Sequence, residues 1–109
     1  MIISTMDDLP GYEVIEVLGE VFGLTVRSRH AGSQFGAGLR SMFGGELKGM
    51  TKMLNESRIE AQKRLTDNAE TLGANAIVAV RFDANDLGEL GQEMCAYGTA
   101  VRVRKTTPA

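Results

Sequence analysis

The run from Gly45 to Val103 constrains the fold more than any other part of the chain. A long amphipathic segment stops at Gly73, an apolar strand follows at once (GANAIVAVRF), and a second strand (MCAYGTAVRVR) comes after it. Between Glu46 and Leu72 there is no proline, and Met50, Leu54, Ala61, Leu65, Ala69 and Leu72 recur near 3.6-residue spacing. That spacing predicts one helix with a single apolar stripe. Gly73 stands where a left-handed C-terminal cap is wanted, and Glu60 and Arg64 form the favourable i,i+4 order of charges. At 1.5 Å per residue this helix is about 39 Å long, whereas a compact chain of this size has a radius of gyration of about 13 Å. The helix therefore spans the whole subunit, and it is expected to contribute to intersubunit packing.

The first half reads as strands. IIST at 2–5 is a short apolar strand, LPG at 9–11 is turn punctuation, and YEVIEVLGEVFG at 12–23 is a long strand with apolar groups at both parities. Apolar groups on both faces are expected of a strand that packs a core on one side and meets a second subunit on the other. Gly19 and Gly23 predict a bulge and a bend, after which TVRSR at 25–29 resumes an extended pattern. Residues 34–43 have helical spacing at Leu39, Met42 and Phe43 but are weakened by glycine, and Gly44-Gly45 ends them. AIVAVRF at 76–82 reads as a central strand covered by the helix, and DANDLGELGQ at 83–92 as the loop of an antiparallel hairpin. The tail TTPA is expected to fray. The expected class is α+β, a mainly antiparallel sheet packed by one long helix, as a single domain over 1–109.

Composition excludes several function classes. Twelve basic against fourteen acidic residues give a net charge of -2, which supplies no global field for nucleic acid or an anionic membrane. One cysteine, Cys95, rules out an intrachain disulfide, and MIISTMDDLPG has neither the basic start nor the apolar run of a signal peptide. A cytoplasmic location is expected. With no Trp and 6% aromatic residues, the core must be built from Ile, Val, Leu, Ala and six Met.

No catalytic constellation is visible. Cys95 shares strand parity with Tyr97, Thr99, Val101 and Val103 and reads as a small buried hydrophobe, and His30 as a solvated or locally bonded side chain. No metal-ligand cluster or cofactor site is legible, although symmetry could gather thiols or imidazoles at an oligomer axis. Asp83, Asn85 and Gly88 open like a calcium loop, but Leu87 and Met94 occupy positions that need ligands. GSQFGAGLRSMFGG lacks a phosphate-loop ending, so its glycines read as sites of close backbone approach. The feature with most chemical promise is charge parity: Arg27 and Arg29 fall on one face of their strand, Arg102 and Arg104 on one face of theirs. Sheet pairing could gather these four guanidiniums into a basic surface that binds a small anion, with Glu13 or Glu16 as the compensating alternative.

GANAIVAVRFD at 73–83 and YGTAVRV at 97–103, after a long helix preceded by GG, resemble the YbjQ-like family of small bacterial proteins that carry a heavy-metal-binding label. IIST, EVIEVLGEVFG and RHAGSQFGAGLRSMFGG extend the resemblance over nearly the whole chain. It implies a dodecin-like arrangement of helix and sheet, assembled as a homopentamer, and brings no established activity. The functional expectation is a non-enzymatic homo-oligomeric binding or scaffold protein; the alternative is a metal-binding protein whose ligands meet at subunit interfaces.

Overall fold

The computed structural model describes residues 1–27 and 48–106. Strand β1 (Ile2–Ile3) is followed by β2 (Tyr12–Arg27), helix α1 (Lys48–Thr71), β3 (Ala76–Asp86) and β4 (Gln92–Lys105). The four strands form one mixed sheet in the order β1-β3-β4-β2, with β1 parallel to β3 and the other pairs antiparallel. The described residues are therefore α+β, a mixed sheet packed by helix α1, as the periodicities predict. The predicted helix over 34–43 and the glycine-rich segment around it lie outside the described residues.

Helix α1 seats its stripe on the sheet through Ala61, Leu65 and Ala69, all fully buried, against Val21, Ile77, Val80, Met94, Ala96 and Ala100. Ser57 continues this stripe and is buried, while Leu72 is exposed, because the helix has already ended at Thr71. The end is a two-bond glycine cap: the Ala74 N–H donates to the Ala69 carbonyl at 3.1 Å, and the Gly73 N–H to Glu70 at 2.9 Å. Gly73 has φ 85°, so the glycine read as a cap does that job. Glu60 and Arg64 are paired at 3.1 Å.

Strand β2 is one uninterrupted element of 16 residues, with no break at Gly23. Gly23 is in close approach instead. A Cβ placed there would lie 2.9 Å from the Leu65 Cα and closer still to the Leu65 nitrogen and the Ala61 carbonyl oxygen, so the helix backbone rests directly on the strand. The bulge expected at Gly19 is present: the β2–β4 register shifts between Val17 and Gly19, with Gly19 at φ 125°, and shifts once more between Val14 and Glu16. Each shift inserts one residue and turns the alternation over. Simple parity along β2 is therefore re-sorted: Val21, Gly23 and Thr25 face the helix, and Val14, Val17, Phe22, Leu24 and Val26 face away from it.

The molecule is long and thin, 59 × 26 × 16 Å with a radius of gyration of 17.6 Å, well beyond the compact value expected from chain length. Strand length explains it, since 16 residues at about 3.3 Å span about 53 Å, whereas the 24 residues of α1 span about 36 Å. The ladder of β3 on β4 reaches only to Ala76 opposite Val101, while β2 continues with β4 as far as Tyr12 opposite Lys105. A two-stranded ribbon thus runs past the helix and past β3. It is tied down by Asn75, whose amide Nδ2 donates to the Val103 carbonyl and whose Oδ1 accepts from the Val103 N–H, both at 2.8 Å, as a further rung of the sheet. Ile2, Leu9 and Tyr12 pack over Ala76, Val78, Val101 and Val103 on the face away from the helix.

Candidate functional site on the helix-free face

Helix α1 covers one side of the sheet, and the N-terminal segment covers one end of the other. What remains is an apolar stripe on the outer strand. Val14, Val17, Phe22, Leu24 and Val26 are 45–67% exposed, and Tyr97 of the adjoining strand stands directly opposite Phe22, with ring centroids 6.4 Å apart. The alternation expected of a strand with two useful faces is present, with the membership of each face set by the two bulges.

Cys95 lies beside this stripe, opposite Leu24 on one side and Asp83 on the other. It is half-buried, not enclosed as its parity suggested. Burial, then the negative charges of Glu93 and Asp83, push its thiol above the ordinary value near 9.0. The neutral thiol is favoured in the fold, so the associated stability is complete below that ordinary value and is lost as pH rises through the folded one. Alkylation of Cys95 in the native protein is expected to show a midpoint above that of the same thiol in urea-unfolded chain, a comparison that a rate–pH profile with iodoacetamide makes directly.

Among the described residues no group of three or more His, Cys, Asp and Glu side chains could hold a metal ion. His30 lies outside the described residues. Asp83 and Asn85 belong to β3, and Asp86 accepts from the Gly88 N–H at 2.9 Å, which shapes the hairpin turn around a short 3-10 segment at Gly88–Leu90. The partial calcium-loop spacing is thus a strand end followed by a turn.

Of the described arginines, Arg27 lies at one end of the β2–β4 ladder and Arg102 and Arg104 at the other. Arg27 pairs in register with Gln92, whereas Arg102 stands opposite Glu16 and Arg104 opposite Glu13. The ten residues from Gln92 to Arg102 put about 34 Å between the two ends of the ladder. By register Arg27, Arg102 and Arg104 share a face, but the antiparallel ladder puts Arg27 at the opposite end from Arg102 and Arg104. Arg102 is paired with Glu16 at 3.5 Å and Arg104 with Glu13, so their charge is compensated locally. The Nε of Arg27 is shielded from solvent and has no hydrogen-bond partner among the described residues. Arg29 lies outside them.

Sequence reasoning missed what closes part of the β2 edge. Arg64 donates from a guanidinium nitrogen to the Leu24 carbonyl at 2.5 Å, and Asn68 from its amide to the Phe22 carbonyl at 2.6 Å. Spaced by four on the helix, the two side chains reach acceptors spaced by two on the strand. Both were legible as helix-surface residues, but their target depends on where the helix lands.

Fold and surface together define, among the described residues, a small α+β protein with one helix-covered sheet face and an exposed apolar stripe on the other. Within that class the chain belongs to the YbjQ-like family, whose model, described as "Putative heavy-metal-binding", matches residues 1–104. A UPF0145 protein of Streptomyces coelicolor is 58% identical over 96% of this chain and 99% of its own length, and one of Mycobacteroides abscessus 57% identical over 95% and 97%. A UPF0145 protein of Saccharolobus islandicus is 47% identical over 98% and 94%. The family therefore extends to archaea and is not confined to bacteria, as the resemblance had implied. In fold the chain is similar to a crystal structure of a protein of unknown function of the DUF74 family from Pediococcus pentosaceus, with a TM-score of 0.51 at 14% identity, covering 97% of this chain and 98% of that one. No helix among the described residues is long and apolar enough to cross a membrane.

Proposed function

We propose that this chain acts, as a single unit over residues 1–109, as a non-enzymatic homo-oligomeric binding or scaffold protein of the cytoplasm. The assembly is a ring with the pentameric, dodecin-like arrangement that the family resemblance implies. The observation that carries this reading is the exposed apolar stripe: an 11.8 kDa chain has a small core, and among the described residues Ile2, Leu9 and Tyr12 pack over one end of this sheet face while Val17, Phe22 and Val26 stay at least half exposed. Native mass spectrometry of untagged protein should give a single closed oligomer, with five subunits as the expected count. A well-folded monomer at micromolar concentration would overturn the assembly, and a stable trimer would overturn the pentamer alone.

An anion site on Arg27, Arg102 and Arg104 requires guanidiniums from more than one subunit, because one subunit holds them at opposite ends of a ladder. Such a site is a property of the ring and is read by the same experiment, as a small anion retained with the oligomer.

The metal-binding alternative rests on Cys95, which has Asp83 across the ladder and Glu93 two residues before it, together with the family's description. One thiol and two carboxylates on a single sheet face do not converge, so ligands would have to come from a neighbouring subunit. On the scaffold reading, Cys95→Ser leaves divalent-metal affinity unchanged. Calorimetry that finds tight zinc, copper or cadmium binding in the wild type and none in this variant would put the metal reading first.

A further inference from the structure

We infer that Met1–Asp8 form a strap that opens as a unit while the sheet stays folded, turning about Pro10-Gly11 and caught, when closed, by a bulge of β3 at Ala79–Arg81. The device lies within a single subunit and is independent of assembly.

The catch is built by β3. Val78 stands opposite Thr99 and Arg81 opposite Tyr97, so Ala79 and Val80 share Gly98 as their partner. Two residues against one make a bulge, and Ala79 adopts φ 55° in it, the one positive φ at a non-glycine among the described residues. Ile77 and Val80, which simple alternation would set on opposite faces, thereby both enter the core beneath α1. The N–H groups of Ala79 and Val80, which a regular strand would send to opposite edges, both leave on the β1 side. There they donate to the Met6 carbonyl at 2.8 Å and the Ser4 carbonyl at 3.0 Å. A guanidinium nitrogen of Arg81 donates to the Thr5 carbonyl at 2.8 Å. Three successive carbonyls of the strap are thus held by three successive residues of β3.

The two sides of this contact differ in how firmly the rest of the fold holds them. The catch belongs to the core: Val80 is 3% exposed, and a Cβ on Gly98 would lie 2.9 Å from Ile77 Cγ2 and 3.1 Å from Val80 Cγ2, so the bulge is packed from within. The strap does not. No residue from Met1 to Tyr12 is buried, and Thr5, Met6, Asp7 and Asp8 are exposed. Strand β1 has only two residues, and beyond the catch the strap is held by the N–H groups of Ile2 and Ser4, which donate to the Asn75 and Ile77 carbonyls, and by partly buried Ile2, Ile3 and Leu9. A segment with few buried apolar contacts and solvent-exposed backbone bonds opens at a far lower free energy than the core it lies on.

The far end of the strap is anchored. The Tyr12 N–H donates to the Leu9 carbonyl and the Thr106 N–H to the Gly11 carbonyl, both at 2.9 Å, and Gly11 turns the corner at φ 87° with nothing within 4 Å of a would-be Cβ. Opening therefore turns on this corner and leaves the β2–β4 ribbon in place. It uncovers Ala76, Val78, Val101 and Val103, over which Ile2 and Leu9 pack, and frees the donors of Ala79, Val80 and Arg81 along the β3 edge.

Native-state amide exchange of the full-length protein, read residue by residue by NMR in sub-denaturing urea, tests this device. The Ser4, Ala79 and Val80 amides should share one opening with little urea dependence and a protection at least about ten-fold below that of Leu65 at the centre of α1. Arg81→Gln, at an exposed side chain, should lower the protection of those three amides together by at least about five-fold and leave Leu65 unchanged. Should that variant not fold, the wild-type exchange decides alone. Ala79 and Val80 amides with the protection and urea dependence of Leu65 would overturn the strap, since they would then open only with the whole fold. A folded Arg81→Gln protein in which the three amides respond separately, or not at all, would overturn it too.

Discussion

Gly23→Ala should destabilise the protein by about 3 kcal/mol or more, at the upper end of what overpacking a close contact produces. The added methyl would meet the Ala61 carbonyl oxygen, the Leu65 nitrogen and, at 2.9 Å, the Leu65 Cα. All three are main-chain atoms of helix α1. None can rotate away as a side-chain tip would, so either the helix lifts from the sheet or β2 bends, and each opens the layer formed by Val21, Ala61, Leu65 and Ala96. Gly73→Ala is the informative comparison. That glycine has φ 85° with nothing within 4 Å of its would-be Cβ, so the loss there is the left-handed conformational cost alone, roughly 1–2 kcal/mol. Denaturant melts at one fixed protein concentration should rank Gly23→Ala well below Gly73→Ala in stability. The reverse order would mean that the helix does not rest on β2 at Gly23.

Leu65→Ala should cost about 2–5 kcal/mol, the range for emptying a buried leucine site. Leu65 has no exposed surface and sits between Ala61 and Ala69 at the centre of the helix stripe, in one cluster with Val21, Ile77, Val80 and Met94. The alanines on both sides along the helix and Gly23 beneath have no reach into the space that the leucine would leave. Lys63→Ala removes only an exposed i,i+4 pair with Asp67 at 3.1 Å, with 68% and 57% of the two side chains in solvent, so less than about 1 kcal/mol is expected. Equal losses at the two positions would show that the helix is rotated from its assigned seat.

These two residues illustrate how unevenly the fold can be read from the chain. Leu65 belongs to a periodic stripe, and period alone told which face of the helix would be buried. Gly23 carried no such mark. In sequence it is one glycine of a strand, equally suited to a bend, a bulge or a close approach, and only the landing point of α1 selects among them. Cys95 shows the same division: its parity with Tyr97 was correct, but parity gives a face and says nothing about whether that face is covered.

What local chemistry determined is the order and kind of elements. A proline-free apolar stripe made the helix, Gly73 ended it, the Ala-Ile-Val run made the inner strand β3, and the short polar turn closed it with β4 into a hairpin. Each of these depends on neighbours within a few residues. The tertiary structure alone decided register and cover. Two bulges at Ile15 and Leu18 turned over the alternation of β2 and brought Val17 onto the same face as Phe22 and Leu24, and the antiparallel ladder sent Arg27 about 34 Å from Arg102. Helix α1, shorter than the strand beneath it, left the ribbon bare. These outcomes turn on contacts between residues 40 to 91 positions apart in the chain, such as Arg64 with Leu24 and Arg104 with Glu13, whose pairing no local periodicity records.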